Sequence, residues 1–234
     1  MLFGLLENKN NRKPKGDMHV IVLASQKGGV GKTTLAAHLA IAAEAAGAGP
    51  TVLIDTDPQG SLSAWWNVRE ADTPALAPVS VAELPEKLAA LATAGYEIAI
   101  IDTPPAITEA IRSVMGSADL VVIPTRPSPH DLRAVGSTVE LVQDAGKPFI
   151  FALTQAKPNT RLTVTAVAAL SEHGTVAPAV MHDRVDYAGS MIDGRTVQET
   201  DGKGRSAEEM AELWKFVQAR MTKSTKAQKI AVNA

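Results

Sequence analysis

Residues 26–34 read Gln26-Lys27-Gly28-Gly29-Val30-Gly31-Lys32-Thr33-Thr34, between a β-branched apolar run at 19–24 and an Ala-rich stretch with helical spacing at 31–46. A chain that leaves a strand through glycines and enters a helix turns its backbone N–H groups toward one point. The helix N-terminus adds partial positive charge there, so the loop cradles an anion. Lys32 has the reach to touch the β and γ phosphates of a nucleotide, and the Thr33 hydroxyl is placed to ligate Mg²⁺. Gly28, Gly29, Val30, Gly31, Lys32, Thr33 and Thr34 are therefore the expected phosphate cradle, with ATP and Mg²⁺ as cofactors.

Outward from this loop, short apolar runs at 51–55, 96–102, 118–124 and 147–154 alternate with helical patterns at 81–94, 107–117, 131–145 and 162–173. Continuous Val/Ile/Leu runs bounded by turn signals are strands buried on both faces. Alternating strand and helix predicts one α/β domain with a doubly wound, mostly parallel sheet and helices on both faces. A final helix is expected from the capping-box pattern Ser206-Ala207-Glu208-Glu209, ahead of Met210, Leu213, Trp214, Val217 and Met221. Residues 1–17 read as a flexible basic leader, 18–221 as the folded ATPase domain, and 222–234 as a polar tail.

With 45% hydrophobic residues and 4% aromatics in 234, the core must be built from Ala, Val, Ile and Leu. The chain has no cysteine, which removes disulfides, thiolate catalysis and cysteine-held zinc or iron–sulfur clusters. No apolar run approaches the roughly 18 to 20 residues that a membrane span needs, so the expected location is the cytoplasm. Net charge is −2, but residues 201–234 carry seven Lys or Arg against four acids. Residues 1–20 add four against two, which leaves an acidic body with basic ends.

Two further segments carry carboxylates. Leu53-Ile54-Asp55-Thr56-Asp57-Pro58-Gln59-Gly60-Ser61 sets two acids two apart at the end of a strand, where α/β folds bind ligands. Ile98-Ala99-Ile100-Ile101-Asp102-Thr103-Pro104-Pro105 is a buried strand ending in one acid, a form suited to holding Mg²⁺ through water. His19, His38, His130, His173 and His182 show no metal-ligand spacing with acids, and Trp65-Trp66 reads as packing.

The loop departs from the general P-loop, because Gln26 stands where a glycine is usual and Lys27 precedes the glycines. In this it resembles the deviant Walker A family of ParA-type partition ATPases, MinD, nitrogenase iron protein and dethiobiotin synthetase. The resemblance covers roughly residues 18–221 and implies an ATP-hydrolysing switch. By that resemblance Lys27, Lys32 and Asp57 are catalytic: Lys27 reaches across a homodimer to the partner's nucleotide, and Asp57 positions the attacking water. Asp55 supports the Mg²⁺ shell beside Thr33 and Asp102. Thr154 and Gln155 occupy the place of an adenine-contacting asparagine, from which Thr154 departs.

Arg126-Pro127-Ser128-Pro129-His130-Asp131-Leu132 resembles the ParA branch specifically, though capping of a helix by Ser128 or Asp131 explains both residues as well. The same branch implies non-specific DNA binding by Arg184, Arg195, Lys203 and Arg205, a nucleoid association, and a ParB-type or other cargo adaptor that stimulates hydrolysis. Partition or positioning of a plasmid, chromosome region or other cargo is then the expected function. A MinD-like membrane-associated ATPase and a dethiobiotin-synthetase-like enzyme are the alternatives. The polar stretch at 222–234 offers little apolar face for a membrane. The lack of cysteine excludes the iron protein.

Overall fold

The computed structural model describes residues 18–106 and 108–232, with residues 222–232 described by backbone alone. The leader expected at 1–17 lies outside the described residues. Seven strands form one all-parallel sheet: β1 (His19–Leu23), β2 (Thr51–Asp55), β3 (Ala75–Ala77), β4 (Ile98–Asp102), β5 (Leu120–Thr125), β6 (Phe149–Leu153) and β7 (Thr175–Val176). Their order is β3-β2-β4-β1-β5-β6-β7. The connecting helices are α1 (Lys32–Ala45), α2 (Ser61–Asn67), α3 (Leu84–Ala94), α4 (Glu109–Gly116), α5 (Pro129–Asp144) and α6 (Arg161–Ser171). Then come α7 (Val185–Ser190), α8 (Val197–Thr200) and α9 (Arg205–Val232).

The pleat divides the apolar residues of each central strand between two cores. Ile21 and Leu23 of β1, with Ile98 and Ile100 of β4, face a layer that includes Leu35 and Leu39 of α1 and Leu213, Trp214 and Val217 of α9. Val20, Val22, Ala99 and Ile101 face the opposite layer, with Leu91 of α3, Ile111 of α4, Val142 of α5 and Leu170 of α6. Covering on both faces is what lets parallel strands be apolar at every position. The expected doubly wound architecture is the one observed.

Register then builds the site. Asp102 at the end of β4 pairs with Leu23 of β1 on one side and with Asp55 of β2 on the other. Thus the loop that follows β1 and both strand-ending acids meet at the carboxyl edge of the sheet, where a crossover changes direction around β1.

The five expected strands and the five long helices all form, with ends shifted by at most three residues. Those missed, β3, β7, α2, α7 and α8, are too short for periodicity to mark them. One cap differs from expectation. α9 begins at Arg205, the Glu208 N–H bonds the Gly204 carbonyl, and the Ser206 hydroxyl donates to Asp186 instead of capping. Glu209 is pulled away by side chains outside its own helix. The capping box that does form is Thr196 with Glu199 at α8. The backbone of α9 also runs past 221 to Val232, through residues free of Gly and Pro.

Candidate functional site

The loop between β1 and α1 takes its shape from glycines in the left-handed region. Gly29 has φ 73° and Gly31 φ 86°, conformations that a side chain disfavours. A Cβ on Gly28 or Gly29 would meet nothing within 4 Å, so the space before these amides is open. Lys32 starts α1 and is 8% exposed. Its Nζ donates to the Ser25 carbonyl at 3.3 Å and the Lys27 carbonyl at 3.4 Å, long contacts that leave donor capacity for an anion. Burial lowers the pKa of this ammonium, opposed by the charges of Asp102 and Asp57. Lys27 is exposed at the rim of the loop.

Asp102 is 1% exposed. Its Oδ2 accepts the Thr33 hydroxyl at 2.5 Å, while Oδ1 is buried without a hydrogen-bond partner. Burial pushes its pKa up to about 7; Asp55 and Asp57 add to that effect, and the Thr33 hydrogen bond and Lys32 oppose it. An orphaned carboxylate oxygen beside a threonine hydroxyl, under an open glycine cradle, is a donor set that suits a divalent cation carrying phosphate oxygens.

Asp55 has a different task from the one expected of it alone. Its Oδ1 accepts the Asp57 N–H at 3.1 Å, and Oδ2 accepts the N–H and hydroxyl of Ser63 at 2.8 and 3.0 Å. It therefore pins the Asp57 turn and the first turn of α2. Asp57 lies beyond the end of β2, and a turn, not strand alternation, sets its direction; its Oδ1 accepts the Gln59 N–H at 3.0 Å.

Thr154 and Gln155 are brought to the loop, but from behind. The Thr154 hydroxyl is fully buried and donates to the Val30 carbonyl at 2.8 Å; Gln155 Nε2 donates to the Gly29 carbonyl at 2.8 Å. With its hydroxyl committed to the loop, Thr154 does not face open space as a base-contacting residue would. It holds the loop carbonyls outward, which points the amides inward. Gln155 is half-buried and also lines a cavity of about 500 Å³ together with Lys27, Arg126, Asp131 and Lys157. At the edge of that cavity Ser128 caps α5, accepting the Asp131 N–H. The Asp131 carboxylate is taken by Arg126 and Ser128, and their hydrogen bonds outweigh burial to hold its pKa low.

The four cations expected to contact DNA do not gather into a free basic cluster. Arg184 is bound through Nε and Nη2 to Glu209 at 3.0 and 2.8 Å, and Arg195 is paired with Asp193. Lys203 and Arg205 are exposed and make no ion pair among the described residues. Residues 182–209 hold seven carboxylates against four Lys or Arg, a net of −3 with His182 neutral.

A clamp that sequence reading missed joins this region to the site. Arg69, just past α2, has a side chain 2% exposed; it binds both Glu199 oxygens and the Gly194 and Thr73 carbonyls, and lies over the Trp65 ring. Gly194 is required here, since φ is 76° and a Cβ would lie 2.5 Å from the Arg69 nitrogen. Trp65 is buried and donates to the Arg195 carbonyl at 3.1 Å. From α1, His38 Nδ1 lies 2.7 Å from the Thr34 carbonyl, and Nε2 accepts the Val197 N–H at 3.3 Å. The local clues were the i, i+4 spacing of Trp65 and Arg69 and a lone histidine among alanines.

With this geometry in place, comparison with known proteins is specific. The CbiA family model, described as CobQ/CobB/MinD/ParA nucleotide binding domain, matches residues 21–197. The chain is 32% identical to Maintenance of carboxysome distribution protein A of Halothiobacillus neapolitanus, over 80% of this chain and 90% of that one. It is 35% identical to the protein of that name in Gloeobacter kilaueensis, over 84% and 95%. A Cyanothece McdA–ATP complex superposes with a TM-score of 0.69 at 18% identity, covering 89% of this chain and 98% of that one. The family match spans most of the chain and both relatives are matched over nine-tenths or more of their length, so the chain belongs to the CobQ/CobB/MinD/ParA family of nucleotide-binding domains.

Proposed function

We propose that this protein is a Mg²⁺-dependent ATPase that works as a dimerising switch and positions a large cargo over DNA. The observation that carries this reading is the meeting of Lys32, Thr33, Asp57 and Asp102 at one sheet edge, with Lys27 left exposed on the rim. ATP supplies the phosphoryl group, and Mg²⁺ offsets its charge. Thr33 and Asp102 hold the cation, with Asp55 fixing the segment around it. Lys32 and the 28–34 amides hold the phosphates, and Asp57 orients the attacking water. Gln155 borders the base. Lys27 serves the partner subunit's nucleotide, so the complete site needs two chains.

Similarity over nearly the full length of two carboxysome-distribution proteins supports a carboxysome or comparable protein assembly as cargo. Plasmid or chromosome partition with a ParB-type partner is the neighbouring reading. Among the described residues no helix is long and apolar enough to cross a membrane. Non-specific DNA contact rests on Lys203 and Arg205, which of the four expected cations are the two that form no ion pair among the described residues. The test is DNA binding measured with ATP, with ADP and without nucleotide. Binding confined to ATP is expected; binding that ignores nucleotide contradicts the switch, and binding to liposomes in its place favours a MinD-like role.

A further inference from the structure

The most exposed large apolar side chains of the described residues are Val185, at 86%, and Ile192, at 82%. They stand seven apart along α7 and the short 3₁₀ turn that continues it, with exposed Ala188 and Gly189 between. The spacing i, i+3, i+4, i+7 is that of a helix face made to be covered, yet this one is turned to solvent while Tyr187 and Ser190 on the other face are buried. Alongside runs a groove of about 380 Å³ between α7, α8 and the start of α9, with Val185 and Gly189 on its wall and Val197 on its floor. Two carboxylates, Asp186 and Asp201, line it and, among the described residues, no cation does.

We propose that this groove docks a cationic amphipathic helix of a partner protein. Apolar side chains at helical spacing would cover Val185 and Ile192, and lysines or arginines would face Asp186 and Asp201. The carboxylates that line the groove select this occupant within it, while the proposed DNA contacts Lys203 and Arg205 flank its lining residue Gly204. Residues 182–209 carry a net −3, and Arg184 and Arg195 at the two ends of the apolar face are neutralised by Glu209 and Asp193. The floor of the groove is also wired to the phosphate site. Val197 donates to His38, and His38 in turn meets the carbonyl of Thr34 in the first turn of α1. Gln198 Nε2 donates to the His38 carbonyl at 2.9 Å. An occupant resting on α8 therefore bears on the helix that holds the phosphates, which suits the adaptor that the proposed switch requires. The docking claim rests on that reading only for its purpose, since binding is measurable without turnover.

The probe is a fluorescein-labelled synthetic helix of about 15 residues, long enough to show helical character, with leucines at i, i+3, i+4 and i+7 and lysines elsewhere. Its anisotropy is read with the full chain. Val185→Ser together with Ile192→Ser removes the apolar face without changing charge, and should weaken the peptide on the order of tenfold while leaving a duplex oligonucleotide unaffected. Asp201→Asn should weaken the peptide several-fold and leave DNA binding equal or stronger. Equal binding of a glutamate-substituted peptide, or peptide binding indifferent to the double serine variant, overturns the proposal. So does a parallel loss of DNA binding in that variant, which makes the face a nucleic-acid surface. Self-association of the chain abolished by the double serine variant overturns it as well, because the occupant is then a second copy. Failure of the wild type to hydrolyse ATP while the peptide results hold would sink the switch and leave the docking site standing.

Discussion

The phosphate edge of the sheet and the segment from α7 to the start of α9 are built on opposite plans. At the edge, the proposed function follows from short local motifs: the glycines of one loop, Lys32 and Thr33 in the first turn of a helix, and acids that each end one of two neighbouring parallel strands. In the C-terminal segment two carboxylates are spent on partners far along the chain. Glu209 accepts from His182, Arg184 and Tyr187, and Glu199 accepts from Arg69, 130 positions away. A local motif keeps its meaning wherever the strand and helix around it form. A run of arginines does not, because its meaning depends on which acids the fold delivers to it.

The sharpest way to break the first plan is Lys32→Ala. Removing the only buried cation from the loop should reduce ATP turnover by about a thousandfold, as loss of a preorganised charge at a phosphoryl site does. Steady-state phosphate release is the measurement, and near-normal turnover would remove the phosphate reading. The second plan breaks at Arg69→Ala. That variant leaves Glu199 and two carbonyls without their buried partner and should cost on the order of 3 kcal/mol of stability in urea unfolding. Its loop, unlike that of Lys32→Ala, should still bind nucleotide once folded.

His38 joins the two regions, and its titration sharpens the comparison. Burial holds it neutral, with a pKa down from 6.5 to about 4. Between those values the unfolded chain takes up a proton that the folded one refuses, so stability is full above pH 6.5 and falls as the pH drops toward 4. The loss should reach up to about 3 kcal/mol and then level off. His38→Gln should flatten the dependence within that window relative to wild type, as read by urea unfolding at stepped pH. An identical slope in both proteins places the acid sensitivity elsewhere. Thr154→Val is the smallest effect: with the shape kept but the hydroxyl to Val30 lost, nucleotide should bind about fivefold more weakly. The loop would be looser, while turnover at saturation stays near normal. A change in turnover alone would mean that Thr154 touches the chemistry.

The doubly wound sheet was legible because its strands are apolar at every position and its helices long enough to show a period. Asp55 and Asp102 were legible because they end such strands. Asp57 was marked as the second acid after that strand, but its expected role came only by resemblance, since the turn that aims it has no period. Thr154 was linked to a base only by resemblance, from which it departs; its hydroxyl goes to the Val30 carbonyl, since sequence shows which strand end a residue follows and not which way its hydroxyl turns. Ser206 and Glu209 had the spacing of a cap, yet Asp186, His182, Arg184 and Tyr187 compete for them from outside the helix. Arg69 left no trace beyond its distance from Trp65, for its partners Gly194 and Glu199 are far along the chain.

In the proposed function the site is completed by a second chain through Lys27. This completion is tested most directly by the mass of Asp57→Ala in sedimentation with ATP and Mg²⁺, where slow hydrolysis should preserve the ATP-bound state. A dimer with ATP, a monomer with ADP, and a monomer again when Lys27→Ala is added are the expected results. A monomer in all three states, or a dimer that ignores both nucleotide and Lys27, would contradict it.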